Sequence, residues 1–212
     1  MEDSNHEYQY TSVPTDQELR VLEIEPAANY TDPLVASLYI RPIDDDVESP
    51  QPTYDCVSYR WGTNEDVKLL ICDDRRLNIA AVVDEMLRHL RKAGKARRMW
   101  MVSICINQKD DAEKATQVNI MCLIYARANK VHVWLGSAVD NDMIPSVFSL
   151  LRLAALATTQ SDFIVAHLSP SMMKSLVSFL TRPWFTRRWV IQEVEPARTA
   201  VFHCGYHRLP WQ

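Results

Sequence analysis

The sequence has few glycines. Only Gly62, Gly94, Gly136 and Gly205 occur in 212 residues, and no two lie close together. A dinucleotide fingerprint or a Walker loop needs clustered glycines so that backbone can approach phosphate, so neither is present. No Gly-x-Ser-x-Gly occurs, which removes the serine nucleophile elbow. There is no surplus of positive charge: 23 Lys and Arg stand against 27 Asp and Glu, giving a net charge of -4. Nucleic acid is therefore not expected as the main partner. No stretch supplies about 18 uninterrupted apolar residues for a membrane span. The first twenty residues are polar and acidic, unlike a secretory signal, and no membrane partner is expected.

The five cysteines, Cys56, Cys72, Cys105, Cys122 and Cys204, are odd in number and scattered. They read as reduced thiols of a cytoplasmic protein. Cys105 as a nucleophile is less favoured than an inert core thiol, because Ile104 and Ile106 flank it. Zinc needs paired Cys or His ligands. The nearest approach, His203, Cys204 and His207, lacks a second pair, so no metal is expected, and the histidines read as a solvent-facing strand end.

With 47% hydrophobic and 24% charged residues the chain is of ordinary globular composition, and its length suits one domain. Residues 1–18 are polar and aperiodic and read as a flexible leader. Residues 19–212 read as the domain, expected to be the N-terminal part of a longer protein. Residues 44–53 read as a loop from their acids and prolines. Extended runs are expected at 20–24, 35–40, 54–59, 67–72, 99–104, 131–135 and 200–203. Helical spacing predicts helices over 79–93, 112–128, 144–157 and 172–180, the first between an Asn78 cap and a Gly94 stop. Ser169-Pro170 supplies a cap and first-turn proline for the last. This alternation is the pattern of an α/β layered fold.

Aromatic and polar residues gather at the ends of predicted strands, where α/β folds place ligand sites. These stretches are Ser58-Tyr59-Arg60-Trp61-Gly62, then Cys105-Ile106-Asn107-Gln108 followed by Glu113, Gln117 and Met121, then Val133-Trp134-Leu135-Gly136, and finally Arg182-Pro183-Trp184-Phe185 with Arg187, Trp189, Gln192 and Glu193. Four such motifs in this order, over residues 54–211, closely resemble the fungal heterokaryon incompatibility (HET) domain. A fainter resemblance links the opening stretch from Tyr54 to Arg60 to the first strand of a TIR domain.

The resemblance implies a TIR-like, flavodoxin-like fold: a mostly parallel sheet flanked by helices, with extra N-terminal strands and C-terminal helical additions. It implies an effector that triggers programmed cell death when unlike fungal cells fuse. Some TIR domains cleave NAD at the nicotinamide glycosidic bond with a glutamate on a helix beside the sheet, so NAD enters as a candidate substrate and no resident cofactor is expected. Glu113, opening a helix after Asn107 and Gln108, is the positional candidate for the catalytic carboxylate, with Arg60 or Gln117 assisting. Alternatively, Glu113 only complements a helix N-terminus.

Ser58, Arg60, Trp61, Asn107, Gln108, Gln117, Arg188 and Glu193 are the candidate ligand-binding residues. Arg60 and Arg188 could hold a phosphate, or could pair with Glu193 or Asp55. Asn107 and Gln108 could satisfy loop backbone instead. The motif tryptophans read as packing more readily than as a stacking platform. The resembled family usually carries Trp-Ile-Asp where this chain has Trp100-Met101-Val102, so an acid at the end of a central strand has become apolar. A non-catalytic adaptor that signals by self-association, with other cell-death or recognition proteins as partners, is the competing expectation.

Overall fold

The strand β3, Asp55–Tyr59, is buried at all five positions, and β7, Val131–Trp134, at all four. Strands covered on both faces must lie inside a sheet with layers above and below it. The protein is described here by a computed structural model covering residues 6–13, 15–43, 53–62, 66–138, 143–156 and 168–211. Among these, nine strands form one sheet in the order β5-β4-β2-β1-β6-β3-β7-β8-β9. The others are β1 (Glu18–Ile24), β2 (Val35–Pro42), β4 (Val67–Cys72), β5 (Arg75–Ala80), β6 (Arg97–Trp100), β8 (Ala200–Cys204) and β9 (His207–Trp211).

The centre, β6-β3-β7-β8, is parallel throughout. Taken in chain order these four strands lie 2-1-3-4, so the winding reverses between β3 and β7. In the rest of the sheet β2 pairs with β4 in parallel, while β1 with β2, β1 with β6, β4 with β5 and β8 with β9 are antiparallel, so the sheet is mixed around the expected parallel centre. Short hairpins produce two of these pairings, because an antiparallel pair can be closed by a two-residue turn and a parallel pair cannot.

Helices flank the sheet. α1, Ala81–Leu90, buries Val83, Met86, Leu87 and Leu90 at helical spacing. The remaining helices are α2 (Val102–Cys105), α3 (Asp111–Asn119), α4 (Met121–Arg127), α5 (Ile144–Leu156), α6 (Pro170–Leu180), a 3-10 turn (Pro183–Thr186) and α7 (Val190–Val194). Ser169 caps α6 as expected, its side chain accepting from the Met172 N–H.

Four local expectations are corrected. The run over 99–104 leaves the sheet after Trp100 and turns into α2. The helix over 112–128 is two helices broken at Ile120. Asn78 and Ile79 belong to β5 instead of opening α1, which starts from Ala80 without a side-chain cap and ends well before Gly94. His203 is not solvent-facing: it is buried, and its Nε2 lies 2.8 Å from His132 Nδ1.

The stretch expected as a leader makes contacts where it is described. The Tyr8 N–H donates to the Arg76 carbonyl at 2.9 Å and the Tyr10 hydroxyl to the Ile104 carbonyl at 3.1 Å. Of the expected 44–53 loop, residues 44–52 lie outside the described residues.

Candidate functional site

Where parallel strands end side by side, their following loops open on one edge of the sheet, and the crevice forms where the winding reverses. Here that edge carries the loops after β3 and β7. Two glycines fit them. A Cβ on Gly62 would lie 2.9 Å from Val82 Cγ1, so the chain after β3 passes against α1 only as glycine. Gly136 has φ +95, which side chains with a Cβ rarely adopt. Arg182 closes the second loop by donating from Nη1 to the Leu135 and Ser137 carbonyls at 2.8 and 3.1 Å. Arg60, Trp61, Gly62, Trp134, Gly136 and Trp184 are among the residues around a cavity of about 410 Å³ at this point.

Below Arg60, the last part of the chain meets β3. Ser58, 1% exposed, accepts a hydrogen bond from Trp184 Nε1 at 2.8 Å and donates to Glu193. Glu193, 2% exposed, is gripped by Arg187 through two hydrogen bonds of 2.7 and 3.0 Å. The three groups satisfy one another, which is what a carboxylate so far out of water requires. Glu193 and Arg187 face a second cavity of about 440 Å³, together with Arg60, Lys114, Val102 and Trp189. Trp61 and Arg60 border both cavities.

This cavity has three cations, Arg60, Lys114 and Arg187, against one carboxylate, and that carboxylate is already paired. Among the described residues Arg60 has no hydrogen bond or ion pair. Lys114 pairs with Asp111 at 2.6 Å across an exposed i,i+3 contact. The balance suits an anionic ligand, with Arg60 free to meet it. Val102, where the resembled family usually carries an acid, lines the same space, which leaves Glu193 as its one carboxylate among the described residues.

Of the candidate residues, the structure brings together Ser58, Arg60, Trp61, Gln108 and Glu193. Gln108 borders the cavity while its amide donates to the Val102 and Ile106 carbonyls at 2.7 and 3.1 Å. Four others lie apart. Glu113 forms a two-pronged ion pair with Arg20, at 2.8 and 3.1 Å, and also accepts from the Asn107 N–H at 2.8 Å. Burial alone would raise its pKa, but Arg20 and the backbone N–H outweigh this and hold it below the usual range. Gln117 is buried and donates to the Glu18 carbonyl. Asn107 turns its side-chain oxygen to the Lys109 N–H at 3.1 Å. Arg188 is exposed, and the arginine that pairs with Glu193 is its neighbour Arg187. Asp55 likewise pairs with Arg97, at 3.0 Å, and not with Arg60. Cys105 is fully buried, which pushes its thiol up to about 12.

The four motifs thus converge on one place, and the matches to known proteins cover the same span. The family described as heterokaryon incompatibility protein (HET) matches residues 54–193. The chain belongs to the HET family. The matched span opens beside β3 and closes on Glu193, so it contains the whole Ser58, Arg187 and Glu193 arrangement. Heterokaryon incompatibility protein 6, OR allele, of Neurospora crassa is 34% identical over 230 aligned positions, which cover 89% of this chain and 33% of that protein. The chain therefore spans about a third of the length of this curated relative. No solved structure matches.

Sequence reasoning missed Lys114, and it named Arg188 as the candidate although the motif arginine is Arg187. Trp184 is packing as read, 5% exposed against Phe185 and Phe202; its second role was signalled too, since a buried indole N–H needs an acceptor.

Proposed function

We propose that this HET domain is an effector of fungal heterokaryon incompatibility, triggering programmed cell death, and that it works by cleaving NAD at the edge of its parallel strands. The observation that carries this reading is Glu193, a carboxylate buried to 2% exposure yet facing a cavity that Arg60 also lines without a partner among the described residues. Cleavage breaks the bond between nicotinamide and ribose C1, nicotinamide leaving with the electron pair; the oxocarbenium-like ribose is stabilised by a fixed carboxylate until water adds at C1 and gives up a proton. Arg60 would hold the pyrophosphate, joined by Lys114 where it exchanges its exposed Asp111 partner for the ligand, while Ser58 and Arg187 fix the carboxylate. The 2-1-3-4 order of the parallel strands supports the TIR-like relation, and the switch point is where that fold class binds nucleotides.

The test is nicotinamide release from NAD by the purified protein at high concentration, with Glu193→Gln and Glu113→Gln in parallel. Loss of release in Glu193→Gln, with release kept in folded Glu113→Gln, supports the assignment. Release that survives Glu193→Gln overturns it.

A second reading, a non-catalytic module that self-associates, is favoured by α7 itself. Trp189 and Ile191, on either side of Val190 at its start, are 51% and 70% exposed. Cell death that persists in Glu193→Gln but fails in Ile191→Asp, together with loss of oligomers in sedimentation, would select it.

A further inference from the structure

A third cavity, of about 490 Å³, adjoins the charged one, and Trp61 and Gln108 border both. Its walls differ in kind. The β4–β5 hairpin contributes Val67, Leu77 and Ile79, α1 contributes Val83, and α2 contributes Ile104. Within this apolar surround lie two hydroxyls, Tyr59 Oη and Ser103 Oγ, both buried and neither completing a hydrogen bond among the described residues. Ser103 is near enough to favour the ionised form of Tyr59, yet burial dominates and pushes the phenol up, so it stays a neutral donor.

Tyr59 is 3% exposed and extends β3 directly before Arg60. Alternation along a strand sends consecutive side chains to opposite faces, so Ser58 and Tyr59 serve different sides of the sheet from one strand end. One motif therefore reaches both compartments.

We infer that this cavity is the ring compartment of the same site, taking the nitrogen heterocycle of a nucleoside, with Tyr59 and Ser103 hydrogen-bonding its edge. The inference rests on the reading of the charged cavity as a nucleotide phosphate site. The volume suits a bound small molecule, since ligand pockets run from about 300 to 1,000 Å³. An acyl chain would fill the apolar walls but leave at least one of the two O–H groups unpaired in a dry site, even with Ser103 and Tyr59 turned to each other, which disfavours it. A heterocycle buries its faces against Leu77, Ile79 and Val83 and offers edge donors and acceptors to the hydroxyls. Trp61, 48% exposed at the junction, offers an indole face between ring and phosphate.

The experiment uses probes that carry one half of such a ligand each. Adenosine and nicotinamide riboside have rings without phosphate; ribose 5-phosphate has phosphate without a ring. Binding is followed by titration calorimetry on the purified chain and on Tyr59→Phe, Ser103→Ala, Leu77→Trp and Arg60→Ala, each checked for fold by circular dichroism. At least one nucleoside is expected to bind, about tenfold more weakly in Tyr59→Phe or Ser103→Ala, and not at all in Leu77→Trp, where the indole fills the cavity. Ribose 5-phosphate is expected to ignore Leu77→Trp and to be lost in Arg60→Ala. Failure of both nucleosides to bind at millimolar concentration, or binding unchanged by Tyr59→Phe, Ser103→Ala and Leu77→Trp, overturns the ring compartment. Nucleoside binding with no ribose 5-phosphate binding keeps the ring compartment and removes the phosphate reading instead.

Discussion

Arg20 and Glu113, 93 residues apart, meet in a buried two-pronged ion pair that ties β1 to the start of α3. The same guanidinium donates to the Cys105 carbonyl at 2.8 Å and to the Thr11 carbonyl. Arg20 thus gathers the N-terminal segment, α2 and α3 around one charge. With 1% and 3% of their side chains exposed, neither partner has water to fall back on.

Glu113→Gln should therefore act on stability. Removing one member of a buried pair leaves the other uncompensated and costs about 3 to 5 kcal/mol. Chemical denaturation is expected to show a loss of this order. Glu113→Gln with wild-type stability and no NAD cleavage would return Glu113 to the catalytic role that its position after Asn107 and Gln108 implies.

Trp184→Phe should loosen the Glu193 site without emptying the core. The ring keeps its edge contacts with Phe185 and Phe202, but Ser58 Oγ loses its donor. A neutral hydrogen bond contributes about 1 kcal/mol net, so the melting temperature should fall by a few degrees while binding of ribose 5-phosphate at Arg60 persists. The readout that separates positioning from packing is turnover: it should drop in Trp184→Phe by more than affinity does.

Gly62→Ala places a Cβ against Val82 Cγ1 at 2.9 Å. Val82 is β-branched and stiff, so it cannot swing aside cheaply, and the strain should cost about 1 to 3 kcal/mol. Val82→Ala in the same chain makes the room and should recover most of the loss. A double-mutant cycle measures that coupling directly; additive effects would mean the contact is not the reason for glycine here.

The central strands were legible in the sequence because β3 and β7 are short runs rich in β-branched and aromatic residues, although each also buries polar side chains, Asp55 and Ser58 in one and His132 in the other. Of the outer hairpins, the leading strands β4 and β8 were legible and the returning strands β5 and β9 were not. β5 reads Arg-Arg-Leu-Asn-Ile-Ala and is exposed over half its length; its alternation over residues 76–79 is short, and Asn78 followed by Ile79 suits the cap and first turn of a helix equally well. The overlooked signal was the Asp73-Asp74 turn, where both residues take positive φ, at 49 and 58, as two-residue hairpin turns demand. For the site, motif clustering found Ser58, Arg60, Trp61, Gln108 and Glu193 because strand ends and loops are local features. It could not see that Glu113 is held by Arg20, since a partner 93 residues away leaves no trace in spacing.

Stability should fall with acid in two stages, and the first belongs to the histidines between β7 and β8. His132 and His203 are buried, and burial lowers His132 to about 4 and His203 to about 3. The groups around them are Asp55, Arg97, Lys130, Arg208 and His89; Asp55 Oδ2 lies 3.1 Å from His132 Nε2. In the unfolded chain both imidazoles take protons near 6.5. Below that pH the unfolded state binds more protons than the native one, so stability is full above about pH 7 and declines as pH falls from 6.5 toward 4. The second stage comes from Asp55 and Glu113, both held below their unfolded values; their contribution is present above about pH 4 and is lost under it. Urea midpoints measured from pH 8 to pH 3 should trace this slope. His132→Asn should reduce the upper stage to the part that His203 contributes and leave the lower one in place, because an amide can hold Asp55 without titrating. A midpoint that stays level between pH 7 and 4 in the wild-type chain would show that the pair already carries a proton in the folded protein, shared across the 2.8 Å His132 to His203 contact.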